Sequence, residues 1–327
     1  MKRVLLIFLV FSCLISSVFS QFSASLAERK GTFEILSRTD YTDAQSGFTK
    51  AELTANLAKI TDVVSVVRQT PVLTDIKGFN GRARIYTISH MVRNGYGVPS
   101  RISFEFSSFF YNKKGEVAFN TIEPPEWSLY INCPNGIGIS SDNQDFEKGY
   151  FTVPYNKRTI APGVDVYNDW NYVIYDPARP DYWIPVTVNE AFASAREFNA
   201  KEKDPVAAKY LQEFLEKEWN EIPAEYRDKP AYFGGGISRV TYKPDYEDQK
   251  NIFPPIMKVN PAYWNKSLPK AAIQLITFQM DPGKKYLQNE LDNCLKHTDA
   301  GSGCDLLRFQ VQYDENEIKK LVSLIGK

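Results

Sequence analysis

The 327-residue chain balances 39 basic residues against 39 acidic ones and shows no block of like charge. That composition excludes the electrostatic footprint of a nucleic-acid-binding protein. Only 4 cysteines and 2 histidines are available for metal or nucleophile chemistry, while a 43% hydrophobic and 14% aromatic content supplies a sizeable core.

The first residues read as a secretory signal peptide. Lys2 and Arg3 form a positive n-region, Val4 to Val18 is a short apolar run, and Val18 and Ser20 occupy the −3 and −1 positions before Gln21. The run is too short for a spanning helix and ends on small residues. Cleavage after Ser20 removes Lys2 and Arg3, so 37 basic residues face 39 acids and the net charge falls to near −2. The expected location is secreted or periplasmic, with no transmembrane segment. In such an oxidising compartment Cys294 and Cys304 are the natural disulfide pair, because nine residues separate them and Gly301 and Gly303 ease the return. Closing this short loop stabilises the fold by about 2.5–3 kcal/mol through the unfolded state. Cys133 remains as a small buried hydrophobe.

Residues 21–47 are polar and weakly patterned, and are expected to be a weakly ordered lead-in to one compact body over residues 48–327. Thr49 and Glu52 make a capping box, with Phe48 and Leu53 placed as a hydrophobic staple. Leu53, Leu57, Ile60, Val64 and Val67 then recur at helical spacing until Pro71. From Arg82 to Val188 the pattern is β. Ile102, Phe104, Phe106, Ser108 and Phe110 alternate along one strand, Asn112 to Gly115 is turn chemistry, and Glu116–Ile122 returns antiparallel. Further strands are expected at Arg84–Met91, Trp127–Asn132, Tyr150–Val153, Asn171–Tyr175 and Tyr182–Val188.

After Val188 the period changes to helical. Thr187 and Glu190 form a second capping box, and Asp204 with Pro205 opens a longer helix whose apolar face carries Leu211, Phe214, Leu215 and Trp219. A strand is expected within Ile237–Tyr242. The last segment reads as strand Ala272–Gln279, a helix through Leu287, Leu291 and Leu295 opened by Asp281 and Pro282, strand Leu306–Gln312, and a final helix capped by Asp314 and Glu317. The expected fold is therefore α+β: a β-rich, antiparallel N-terminal part, a helical segment after residue 188, and a C-terminal β-α-β-α unit with a right-handed crossover. An internal boundary near residue 188 would coincide with the change of period, but no linker composition marks it.

Catalytic signatures are missing. With His90 and His297 as the only histidines, and with no H-E-x-x-H, C-x-x-C, G-x-S-x-G or phosphate-loop pattern, no metal or cofactor is expected. Gly234–Gly236 reads as a turn or bulge. Carboxylates remain, since a glycoside hydrolase needs only two: Glu123, Glu126, Asp169, Asp176 and Asp181 qualify by type but not by any specific spacing. Asp142, Asp145 and Glu147 could offer oxygens to calcium but do not fit the twelve-residue loop.

The densest chemistry lies in Tyr167–Val188, where Trp170, Tyr172, Tyr182 and Trp183 could form a stacking platform, extended by Trp127 and Trp264. Core packing is the commoner use of such side chains. Two functional classes follow. One is a non-catalytic exported or envelope-associated protein that binds a polysaccharide or an envelope protein through aromatic surface. The alternative is a glycan hydrolase with paired carboxylates.

Overall fold

A chain this rich in alternating aromatic and β-branched residues can bury them on both sides of one large sheet, and it does. The computed structural model describes residues 26–38, 47–87, 96–134, 150–153, 156–233, 238, 240–243, 255–281, 283–296 and 304–327. The expected signal peptide, both histidines, Gly234–Gly236 and the acids at 142, 145 and 147 lie outside these residues.

The first strand, β1 (Phe33–Arg38), falls inside the lead-in read as weakly ordered, and it pairs parallel with β2 (Phe79–Thr87). The crossover between them carries helix α1 (Lys50–Val67) and the single turn α2 (Pro71–Thr74). A parallel pair needs such a connection, so the N-terminal part is not purely antiparallel as its pattern suggested. The capping box on α1 is present: Glu52 N donates to Thr49 Oγ1 at 3.2 Å, and Thr49 N donates to Glu52 Oε2 at 2.7 Å.

Strand β3 (Ser100–Tyr111) pairs antiparallel with β2, and β4 (Val117–Phe119) and β5 (Glu126–Ile131) return along its far side. The two-residue strand β6 (Phe151–Thr152) lies in a separate small sheet. Strands β7 (Arg158–Ala161), β8 (Val164–Tyr167) and β9 (Asn171–Ile174) form an antiparallel meander, and β10 (Trp183–Pro185) follows. Gly163 turns β7 into β8 with φ +82°, where a Cβ would approach Tyr175 O to 2.8 Å, so the position requires glycine.

Helices α3 (Val188–Asn199) and α4 (Pro205–Glu221) come next, with the expected capping box at Thr187 and the Asp204 cap with Pro205 at the first helical position. Short strands β11 (Tyr232–Phe233) and β12 (Val240–Thr241) pair with each other, and β13 (Ile256–Val259) lies between β10 and β6. Strand β14 (Ile276–Gln279) then enters the large sheet between β5 and β9, antiparallel to both, giving the order β1-β2-β3-β5-β14-β9-β8-β7 with β4 on β3.

The C-terminus departs from expectation. Leu306–Gln312 is not a strand: α5 (Lys284–Lys296) is followed by α6 (Cys304–Gln312) and α7 (Glu315–Lys320). The C-terminal unit is β-α-α-α rather than β-α-β-α, and no parallel crossover arises there. The run Leu307, Phe309, Val311 alternates, but Asp305, Phe309 and Tyr313 also recur every four residues, and these are the three that are buried. Burial of the four-residue stripe decides between the two periods. The Cys294–Cys304 disulfide forms, with Cα atoms 5.7 Å apart, and ties the end of α5 to the start of α6. Cys133 is a free buried thiol, pushed up to about 12 by burial, and is therefore inert at neutral pH.

One core cluster lies between the large sheet and α1, α6 and α7, built on Ile60, Val64, Phe79, Phe104, Phe106, Trp127, Phe278, Phe309 and Tyr313. On the opposite face, a second, aromatic cluster joins Tyr167, Val173, Tyr182, Trp183, Tyr263, Trp264 and Leu275 under the small sheet β10-β13-β6. A third packs α3 and α4 onto Val186, Ala231 and Ile256. Leu215 is the buried residue of α4; Phe214, expected beside it, is exposed, because the apolar face is narrower than the sequence pattern implied.

Asp305 is a buried carboxylate under this fold, accepting from Ser108 Oγ at 2.6 Å with Arg308 Nη1 at 3.4 Å. Burial raises its pKa against those two opposing contacts. A folded-state value above the unfolded one means that its contribution is complete below the ordinary aspartate value of 3.8 and is lost as pH rises through the raised value. Asp305→Asn is expected to flatten this segment of the stability–pH curve, measured as unfolding midpoint against pH. An unchanged slope would show that Asp305 does not titrate in the fold.

Candidate functional site

The aromatic stretch around which the sequence is densest does not form a platform. Strands β8 and β9 are buried along their whole length because both faces of the sheet are covered here. Tyr172 turns toward the helices and stacks on Phe278, with centroids 5.0 Å apart. Tyr182 and Trp183 belong to the aromatic cluster on the other face, 2% and 4% exposed. Trp127 and Trp264 are also core. Only Trp170 of the proposed set is at the surface, 48% exposed on the turn between β8 and β9, where Asn168 and Asp169 take the left-handed conformation those residue types tolerate.

What the stretch does build is a hub around Asp165, fully buried on β8. Its Oδ2 accepts from Tyr182 Oη at 2.7 Å and faces Lys157 Nζ at 2.9 Å. Its Oδ1 accepts from Thr159 Oγ1 at 2.6 Å and from Tyr175 Oη at 3.3 Å. Tyr167 Oη lies 2.8 Å from Tyr182 Oη and extends the chain of hydroxyls inward. Burial raises the Tyr167 and Tyr182 phenols well above their ordinary value, so both stay protonated and serve as donors. A carboxylate with this many donors is a satisfied structural centre that joins β7, β8 and β10. Sequence reasoning missed it; the signal was an acid at the centre of the apolar run Val164–Tyr167.

The carboxylates named from sequence are dispersed. Asp169 pairs with Arg158 at 3.2 Å, Asp176 with Arg179 at 2.9 Å, and Glu123 and Asp181 are exposed. Glu126, however, sits directly across from Glu105 in the β3–β5 register. Around this pair the open face of β2, β3 and β5 carries a charged network. Arg84 and Arg82 contact the buried Glu105, the second at 3.7 Å, and Arg82 reaches Glu34 at 3.5 Å. Arg101 and Ser103 both bond Glu126, and Arg101 Nε donates to Ser128 Oγ at 3.1 Å. Both carboxylates are thus engaged by neighbours on the sheet. Among the described residues no group of three His, Cys, Asp or Glu is placed to share a metal ion, and no helix is long and apolar enough to cross a membrane.

The exposed apolar surface lies at the far end of the same sheet. The β2 register with β3 ends at Phe79 opposite Ser108, and the β3–β4 hairpin continues beyond it. Phe110, Tyr111, Val117, Phe119 and Ile122 are all exposed there. Opposite residues share a face, so Tyr111 and Val117 lie with Phe109 and Phe119 on the charged side, and Phe110 with Ala118 on the helix side. A second stripe, Val206, Tyr210 and Phe214, is exposed on one face of α4.

Two outcomes follow for the central stretch. Trp183→Ala should cost about 3–5 kcal/mol of stability, as for a truncated core aromatic, and Trp170→Ala less than about 0.5 kcal/mol; denaturant midpoints of the two variants give the contrast. Asp165→Asn should cost about 1–3 kcal/mol, the range for hydrogen bonds to a charged group, because the half-exposed Lys157 can return to water. A midpoint equal to wild type would remove the hub from the account of this region. Comparison of the chain with protein-family models, with curated proteins and with solved structures finds no match.

Proposed function

We propose that the chain is a non-catalytic exported protein, held at the cell envelope, that makes contact through the β3–β4 hairpin. The observation that carries this reading is the apolar surface of that hairpin, five large exposed apolar residues within Phe110–Ile122. Scattered single apolar residues need no explanation, but several gathered on and beside one short hairpin mark an interaction site. Export is supported by the signal-peptide pattern of residues 1–20 and by the disulfide, a bond that persists in oxidising compartments. The contact surface is aromatic, as the sequence suggested, but it lies on β3 and β4 instead of in the central stretch.

The hydrolase alternative has one geometric point in its favour, the Glu105–Glu126 cross-strand pair. Yet Arg82 and Arg84 occupy Glu105, and Arg101 and Ser103 occupy Glu126, which leaves neither carboxyl poised over an open site. Binding is the better reading of this surface.

The double variant Phe110→Ser, Phe119→Ser is the direct test. Both side chains are exposed, so the unfolding midpoint should stay within about 0.5 kcal/mol of wild type. Fractionation of expressing cells should show the wild-type chain retained with the envelope and the variant released. Equal retention of the two would overturn the assignment of the hairpin as the contact surface.

A further inference from the structure

Resting on that reading, we infer that the β3–β4 hairpin is a membrane-docking wedge that enters the interface of an anionic lipid surface. Two observations select this occupant over a protein or a polysaccharide. The first is that the tip is apolar on both faces. Phe110 is 44% exposed on one side, while Tyr111 and Phe119, each 38% exposed, lie on the other. A folded protein or a sugar chain covers one face of a strand pair and would leave the other in water. At the headgroup level a lipid interface surrounds an inserted element on all sides and accepts apolar groups from both faces at once, while its water satisfies the open strand edges. The α4 stripe, one-sided, lacks this property.

The second observation is charge. The hairpin turn places Lys113 and Lys114 at its end, both exposed. Asn112 holds the turn rigid: its Oδ1 accepts from Lys114 N at 2.9 Å and from Glu116 N at 3.0 Å, while its Nδ2 donates to Glu116 Oε2 at 3.0 Å. The acidic group nearest the tip is thereby tied back to the turn, and the two lysines remain exposed at its end. Arg29 lies over the Phe109 ring at 5.3 Å and adds positive charge at the base. Flexible lysine stems can lie along apolar groups while their ammonium heads meet lipid phosphates. Aromatic rings flanked by lysine are the side chains that suit the boundary between headgroups and acyl chains. The remaining acid of this loop, Glu123, is exposed with φ 49°, next to Ile122, which is 79% exposed.

The hairpin is also built to enter without unfolding. Strand β3 runs 12 residues and is paired with β2 from Ser100 to Ser108 and with β5 from Ser100 to Glu105. Its last two residues, Phe110 and Tyr111, reach about 7 Å past the last backbone bond to the body, Phe109 N to Gly78 O, a distance within the headgroup layer. No rearrangement of the body is needed.

The test is sedimentation of the purified chain with vesicles of phosphatidylcholine alone and of equimolar phosphatidylcholine and phosphatidylglycerol, with wild type and variants prepared identically. Wild type should partition onto the anionic vesicles and release as salt is raised. Lys113→Gln with Lys114→Gln should weaken that partition about fivefold per lysine, and Phe110→Ser with Phe119→Ser by about tenfold or more. A Tyr111→Trp reporter should shift its emission to the blue on anionic vesicles and lose intensity to brominated acyl chains. Equal partition of wild type and both double variants, or a reporter that stays in water, would overturn the inference. If envelope retention in cells depends on Phe110 and Phe119 but purified chain ignores both vesicle types, the lipid assignment fails and the contact-surface reading survives. If retention is also unchanged, both fail.

Discussion

The insertion of β14 between β5 and β9 is the constraint on which the rest of the molecule depends. Ile276, Thr277 and Phe278 pair with Ile131, Tyr130 and Leu129 on one side, and with Ile174, Val173 and Tyr172 on the other. Without that strand the β1–β5 half and the β7–β9 half are separate sheets with open edges facing each other. Asn132 fixes the joint. Its Oδ1 accepts from Gln274 N at 2.8 Å and Leu275 N at 3.3 Å, and its Nδ2 donates to Ala272 O at 3.0 Å and Val98 O at 3.3 Å. It does so from a left-handed backbone, φ 54°, a conformation asparagine tolerates better than most side chains. The pairing partners are separated by more than a hundred residues, so the sheet closes only after most of the chain is in place, a topology that slows folding.

Closing the sheet decides which faces are wet. On one side α1, α6 and α7 cover the strands from β2 to β9, and every strand there presents apolar residues. On the other side the small sheet and the aromatic cluster cover only the β14–β9–β8 half. The β2–β3–β5 half has no such apolar layer among the described residues, and its outward positions are Asn80, Arg82, Arg84, Tyr86, Arg101, Ser103, Glu105, Ser107, Glu126, Ser128 and Tyr130. Cross-strand pairing of opposite charges is the stable way to furnish a sheet face of that kind. The same registers that bury Phe104 and Trp127 therefore dictate the ion network behind them.

Local rules made part of this legible. Capping boxes at Thr49 and Thr187 and the Asp204–Pro205 start carry their own hydrogen-bond logic, and the helices begin where those residues stand. Alternation located β3, β5 and β9. Non-local facts were out of reach. Alternation implied that half of the aromatics in a strand face water, but β9 is sandwiched, so Tyr172 and Val173 are both core. Leu306–Gln312 satisfied two periods at once, and only the burial of Asp305, Phe309 and Tyr313 against the sheet separates them. The β-α-β crossover that the sequence suggested at the C-terminus exists at the N-terminus, where the polar segment around Phe33 gave no strand signal because β1 is an edge with one exposed side. Glu126 was legible as a carboxylate; its opposition to Glu105 depends on a register that no local pattern specifies.

The hairpin stands apart from all of these layers. Through most of the described body a large apolar side chain is explained by what the sheet or a helix places over it, the α4 stripe of Val206, Tyr210 and Phe214 being another exception. Phe110 faces the helix side but is 44% exposed, two residues beyond Ser108, whose hydroxyl is bonded to Asp305 near the start of α6. Tyr111, Val117 and Phe119 face the charged side, beyond the last ion pairs of β2 and β3. Folding the body leaves these residues more than a third exposed, although the ring of Phe119 still meets that of Phe109. It is these exposed groups that the proposed contact would bury.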